Sequence, residues 1–237
     1  MQERSEKTRH RLVHAGAQMF DLKGYANATL IDIADAAGVT KGALYFHFSS
    51  KEDLAEAVRR RGQSLVSEAL RSVADSRRTP LQALVDLTHW LAWALLDDPA
   101  LRAAFRITGE RAVNDRPAAT GLHQTCIAAG RHLLRQAQAA GELRRSAAEE
   151  GAETLVDAAL CGIEVLARGG MTYDELSGRI NALWDLMLPV LVPPGTETRY
   201  RTTAPAKDPA TGGRGVREPA AGGRQDQTSS AGLTPSE

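Results

Sequence analysis

Four side chains able to donate to phosphate lie close together in this chain: Lys41, Tyr45, His47 and Lys51, with Thr29 and Thr40 at two helix starts and Gly42 among them. An ammonium group pairs with phosphate or a guanine edge, while a phenol and an imidazole donate to phosphate oxygens. Threonines beside the free amides of a helix start can hold an anion, and Gly42 lets a helix backbone approach the bases. This is the chemistry of gripping a nucleic acid.

The elements that must position these groups follow from TLIDIADAAGVTKGALYFHFSSKEDL, residues 29–54. It reads as two short helices joined by a tight turn at Gly38, with a third starting at once behind Ser49 and Ser50. Ala34, Ala37, Val39 and Leu44 recur at spacings that fill the gap between the two short helices, and Phe46 and Phe48 are expected to pack there too. The outer side of the second helix stays polar, the arrangement required of a helix lying in a major groove. With one Lys and no Arg on that helix, direct base reading is thin, and phosphate and DNA-shape readout should carry much of the specificity.

The whole chain of 237 residues has zero formal net charge and 43% hydrophobic residues, which argues against a protein that coats nucleic acid by charge alone. Residues 1–62 nevertheless carry ten Lys/Arg against eight Asp/Glu and hold four of the five lysines. The Arg59, Arg60 and Arg61 run reads as a solvated face. Cys126 and Cys161 lack the spacing of a metal or redox motif and read as two buried thiols. No metal or cofactor is expected. No apolar run is long enough to span a membrane and the polar start is not that of a signal peptide, so a cytoplasmic protein with no membrane partner is expected. An enzyme is not expected: there is no Ser/His/Asp order, carboxylate pair or phosphate loop. The nearest acids and bases, His89, His123, Glu110 and Asp115, are scattered and read as solvated surface.

Helical periodicity runs from residue 5 to about 191 with no alternating strand pattern, so the fold is expected to be all-α. The spacing predicts a first helix over residues 5–22 ended by Gly24, the three short-range elements above, and five longer helices beyond Thr79. From Pro193 the composition changes: the last 45 residues hold six of the ten prolines and seven of the 21 glycines, and residues 193–237 are expected to be a disordered tail. Residues 1–62 form the small domain, a three-helix helix-turn-helix unit, and residues 63–192 the larger one.

Residues 1–62 resemble the DNA-binding domain of the TetR family of bacterial repressors. The resemblance rests on Ala34, Gly38, Val39, Lys41, Gly42, Leu44, Tyr45, His47, Phe48, Lys51, Glu52 and Leu54, which match the family pattern in type and spacing. It implies a repressor that binds double-stranded DNA at a palindromic operator, contacting it through Thr29, Thr40, Lys41, Gly42, Tyr45, His47 and Lys51. It implies a homodimer through the last two helices, here drawing on Leu155, Ala159, Ile163, Leu166, Ile180, Leu183, Trp184 and Met187. It also implies a small-molecule effector in the larger domain, for which Trp90, Trp93, Phe105, Cys126 and Ile163 are the candidate pocket set and a small apolar molecule the expected ligand.

Three further stretches, ALVDLTHWLAWAL, LLRQAQAAGEL and LWDLMLPVLVPPG, resemble receptors for γ-butyrolactone autoregulators, which control antibiotic production. Those receptors carry a pocket Trp near the position of Cys126. The smaller Cys126 implies a wider pocket and a closer likeness to pseudo-receptors, which answer to other ligands. The runner-up is a drug-efflux repressor of the same family; a helical protein without DNA binding is the alternative from another class.

Overall fold

The computed structural model describes residues 2–74, 76–112, 121–144 and 149–205, and among these every regular element is helical. The order is α1 (Gln2–Asn27), α2 (Leu30–Ala37), α3 (Lys41–His47), α4 (Lys51–Ala74), α5 (Pro80–Asp97), α6 (Pro99–Ala112), α7 (Leu122–Ala139), α8 (Glu149–Arg168) and α9 (Tyr173–Leu191), then one turn of 3₁₀ helix over Glu197–Arg199. The chain is thus all-α, as its periodicity requires.

The short elements are set by local chemistry. Thr29 accepts from the Asp32 amide at 3.1 Å while Asp32 accepts from the Thr29 amide at 3.3 Å, a reciprocal capping box at the start of α2. The Lys23 ammonium and the Thr29 hydroxyl and amide hold the Asp32 carboxyl below its ordinary value. Gly38 ends α2 in the left-handed region (φ 61°), where a side chain is strained. The Val39 amide then returns to the Ala34 carbonyl at 3.0 Å, closing a Schellman turn. Thr40 caps α3 by accepting from the Ala43 amide at 3.1 Å, and Ser50 caps α4 by accepting from the Asp53 amide at 3.1 Å. The chain kinks at Gly24, so the expected stop is there, followed by one more turn to Asn27.

Two hydrophobic cores result. The first gathers Leu12, Phe20, Ile33, Leu44, Phe48, Leu54 and Val58 of α1–α4, each almost fully buried and worth about 1.5–3 kcal/mol. It is completed from outside: Ala100, Ala103 and Ile107 of α6 belong to it. The second gathers the inner faces of α5, α7, α8 and α9, with Val66 of α4. α4 therefore serves both cores. At their junction it crosses α6 at Gly62, where an added Cβ would lie 2.6 Å from the Ala104 Cβ.

Residues 193–205, expected to open a disordered tail, instead pack as a strap on α5. The Gln82 side chain bonds the backbone of Arg201 in both directions, at 3.0 and 2.8 Å, and His89 Nε2 meets the Thr202 carbonyl at 2.7 Å. Asp86, 3% exposed, accepts from Arg201 and pairs with Arg78, both at 2.7 Å. The Tyr200 hydroxyl donates to Glu142 at 3.2 Å. These bonds hold a Pro- and Thr-rich segment that its own composition cannot. They also overturn the surface reading of His89, which is 1% exposed beneath the strap. Burial holds its imidazole below the ordinary value, partly offset by the bond to the Thr202 carbonyl.

Candidate nucleic-acid interface and effector cleft

α3 is seven residues long, and its two sides are sharply different. Leu44 and the capping residue Phe48 are buried, at 0% and 4% exposed, and anchor it to α1, α2 and α4. Arg9 lies over the Phe48 ring, 5.3 Å from its centroid. The opposite side presents Lys41, Gly42, Tyr45 and Phe46 to solvent, with the Lys41 ammonium 5.8 Å from the Tyr45 ring centroid. Thr29 and Thr40 are exposed at the starts of α2 and α3, and His47 is half-buried at the end of α3.

Two residues differ from expectation. Phe46 is 81% exposed, not packed. Helical spacing explains it: Phe46 lies one turn beyond Gly42 and beside Tyr45, whereas the inward side carries Leu44 and Phe48. The signal was present in the 3.6-residue period, and aromatic character alone misdirects the reading. Lys51 is turned inward: its ammonium donates to the carbonyls of Tyr25, Ala26 and Ala28 at 2.7, 3.1 and 3.0 Å, and sits 4.6 Å from the Tyr25 ring centroid. Its three N–H groups are thereby used to close the end of α1. Here Lys51 positions the α1 end and the start of α4.

In the larger domain a small apolar crevice of about 10 Å³, partly open to solvent, is lined by Val66 and Leu70 of α4, Leu87, Trp90 and Leu91 of α5, Cys126 and Ala129 of α7, and Leu160 of α8. Of the expected pocket set, Trp90 and Cys126 meet there. Trp93 is half-buried away from the lining. Phe105 is buried with its ring edge-on to His123 at 4.6 Å, and Ile163 lies inside the second core. The α4 wall was not foreseen, because it needs the long α4 to reach past its first core. Burial pushes the Cys126 thiol up to about 12, so at neutral pH it is an uncharged, soft part of the wall.

Beside the cleft, His123 Nε2 lies 2.8 Å from Glu164, a buried carboxylate that Arg168 also approaches at 2.8 Å. Burial pushes the Glu164 carboxyl up, but the His123 bond and the Arg168 charge together hold it below its ordinary value. This pair joins α7 to α8, as does the Arg131–Asp157 bond. Glu110 and Asp115, the other scattered acids, lie outside the described side chains. Among the described residues no group of three or more His, Cys, Asp or Glu can hold a metal ion, and no helix is long and apolar enough to cross a membrane.

α6 ties α1 to the end of α5. Arg102 donates to Asp21 of α1 at 2.6 Å and to the Leu95 and Leu96 carbonyls at the end of α5 at 2.8 and 2.9 Å; Arg106 donates to the Asp21 carbonyl. On the far side, α8 and α9 expose Leu155, Val165, Leu186 and Val190. Of the residues expected at a dimer face, Leu155 points outward and Leu166 and Leu183 are half-buried. Ala159, Ile163, Ile180, Trp184 and Met187 turn inward, because that stripe packs on α5, where the Trp184 indole donates to Thr88 at 2.9 Å.

A capped helix-turn-helix with an exposed second helix, carried on an all-helical body with its own cleft, defines the class of DNA-binding transcriptional regulators. Residues 12–58 match the family model described as bacterial regulatory proteins, tetR family. Over 194 residues, 82% of this chain and 67% of the relative, the sequence is 31% identical to the A-factor receptor protein of Streptomyces griseus. The protein belongs to the TetR family. Its fold is similar to that of a gamma-butyrolactone receptor, ArpA-like protein (TM-score 0.70, 27% identity, 83% of this chain and 94% of that one). It is also similar to CprB from Streptomyces coelicolor, solved with its biological operator sequence (TM-score 0.71, 28% identity, with the same shares covered).

Proposed function

We propose that the protein is a homodimeric repressor that binds a palindromic operator in double-stranded DNA and is released by a small apolar effector. The observation that carries this reading is the outward face of α3, where Lys41, Gly42 and Tyr45 stand clear of a buried anchor. Thr29, Thr40 and His47 flank it and supply phosphate contacts; Lys51 acts through the end of α1. The effector enters by spreading the crevice between α4, α5, α7 and α8, whose apolar lining favours a ligand without charge. Cys126 stands at or near the position where the γ-butyrolactone receptors carry a Trp, and its smaller side chain favours a ligand other than a butyrolactone, such as an antibiotic or its precursor. The likeness to the A-factor receptor protein supports a role in regulating antibiotic or other secondary metabolism.

Release requires the effector to bind one domain arrangement better than the other. α6 supplies the linkage, since Arg102 ties the end of α5 to Asp21 of α1. Two copies meet through α8 and α9, burying Leu155, Val165, Leu186 and Val190, which sets two α3 helices about 34 Å apart on one face of the duplex. A gel shift against the promoter region of the protein's own gene at two salt concentrations, followed by footprinting, tests the reading. Protection of a palindrome is expected, weakening as salt rises. Protection of none, there or in a genome-wide selection, overturns it. Val165→Glu with Leu186→Glu should give a monomer by light scattering that no longer shifts the operator.

A further inference from the structure

Phe46 is the most exposed large apolar side chain among the described residues, and it stands on the helix assigned to the major groove. Its neighbouring ring is His47, edge-on with centroids 5.1 Å apart, which leaves a ring face open to water. One turn earlier stands Gly42, where an added Cβ would meet nothing closer than the Thr40 hydroxyl oxygen at 4.0 Å. Gly42 and Phe46 therefore form a step in the helix surface: bare backbone below, an aromatic shelf above, with Lys41 and Tyr45 along one side. An exposed aromatic ring on a groove-reading helix is costly in water and gains only where something apolar covers it. In the major groove of B-DNA the apolar group on display is the thymine C5-methyl.

We propose that Phe46 is a specificity-determining residue that packs its ring on a thymine C5-methyl in each half-site, the bare backbone at Gly42 letting the helix come close enough for the contact. This rests on the reading that α3 enters the groove, and it adds a base-reading contact to a helix otherwise poor in them. Lys41 and Tyr45 fix the register on phosphates, and Phe46 selects a T·A pair at one position. The contact needs no hydrogen bond and no charge. Its share of the affinity is therefore less sensitive to salt than the phosphate contacts around it.

The test uses the full-length protein and its footprinted operator, with each thymine replaced by deoxyuridine, symmetrically in both half-sites and one position at a time. Binding is read by fluorescence anisotropy. For the unaltered protein one position should stand out, losing about four-fold per half-site and about fifteen-fold in all when both methyls go. Phe46→Ala should bind the thymine operator about as weakly as the unaltered protein binds the deoxyuridine one, and should no longer distinguish the two. Phe46→Leu should retain part of the discrimination. Since Phe46 is exposed, both variants should keep the helical circular dichroism and the oligomeric state of the parent. Indifference to deoxyuridine at every position overturns the proposal, as does full discrimination persisting in Phe46→Ala, which would assign the methyl contact to Thr40 or Ala43. Failure to bind any operator overturns the groove reading as well.

Discussion

In the α2–α4 segment Thr29 bonds Asp32, Thr40 bonds the Ala43 amide and Ser50 bonds the Asp53 amide, each a partner three residues away. On α5, Gln82, Asp86 and His89 each also bond Arg201 or Thr202, between 113 and 119 residues further on. The ends of these short helices are thus set by bonds that form as soon as the local chain does. The larger half has in addition the ties that form when residues 201–202 return to α5. Local closure fixes the ends of α2 and α3 by short-range bonds, whereas the strap's order on α5 depends on contacts made across more than a hundred residues.

The sharpest break in that contrast is at Gly62, the crossing that both halves share. Gly62→Val should destabilise the protein by on the order of 3 kcal/mol in chemical denaturation, because the Ala104 Cβ cannot retreat. Ala104→Gly in the same chain should recover part of the loss, and no recovery would place the strain elsewhere. Ending the chain after Gly195 removes the strap, stripping Asp86 of one cation and His89 of its carbonyl. A loss of about 2 kcal/mol is expected, given one orphaned buried ring nitrogen and one missing charge-assisted bond. The same truncation should leave hydrogen exchange of the α2–α3 amides unchanged, and loosening there would erase the distinction between the halves.

On the DNA side, Lys41→Ala with Tyr45→Ala should weaken operator binding by roughly thirty-fold, corresponding to about 2 kcal/mol, with the dimer intact by light scattering. Dissociation of the dimer instead would make these residues structural. Thr40→Ala should cost about 1 kcal/mol of stability through the lost cap, with no change in the strap.

The smallest effect is a pH dependence confined to the larger half. His89 is depressed in the folded state relative to its ordinary 6.5, chiefly by burial. Its contribution to stability is therefore present above pH 6.5 and fades as pH falls through the folded value, because the unfolded chain binds the proton more readily. The urea midpoint should drop between about pH 7.5 and about pH 5.5, and His89→Gln should flatten that slope. Asp86 on the same helix and Arg201 from the strap face His89 with opposite effects, so a slope that survives His89→Gln would assign the effect to other groups.

The same contrast explains what the amino-acid sequence reveals. The capping threonines, Gly38 and the buried Leu44 and Phe48 all declare themselves within a few residues, so the helix-turn-helix and most of its outward face are legible without coordinates. Phe46 is misread only when aromatic character is weighed above its place beside Gly42 and Tyr45. The strap is illegible because it opens a Pro- and Gly-rich stretch over residues 193–237 whose composition is that of an unstructured segment, and its order depends on Gln82, Asp86 and His89 far upstream. The cleft is half legible for the same reason: Trp90 and Cys126 lie on strongly apolar helices, but Val66 and Leu70 join them only through the path of α4. The outer faces of α8 and α9 follow from knowing which stripe α5 takes first.

Ala100, Ala103 and Ile107 of α6 complete the core beneath the reading helix, and this governs how the molecule can be taken apart for engineering. A chimera that grafts residues 1–62 onto a foreign sensor carries α3 on a core with one wall missing, and its Arg102 anchor on Asp21 is lost as well. The transplantable reading head is discontinuous in sequence, two pieces of chain separated by all of α5. Sensor exchange should therefore be designed with α6 kept on the DNA side of the cut.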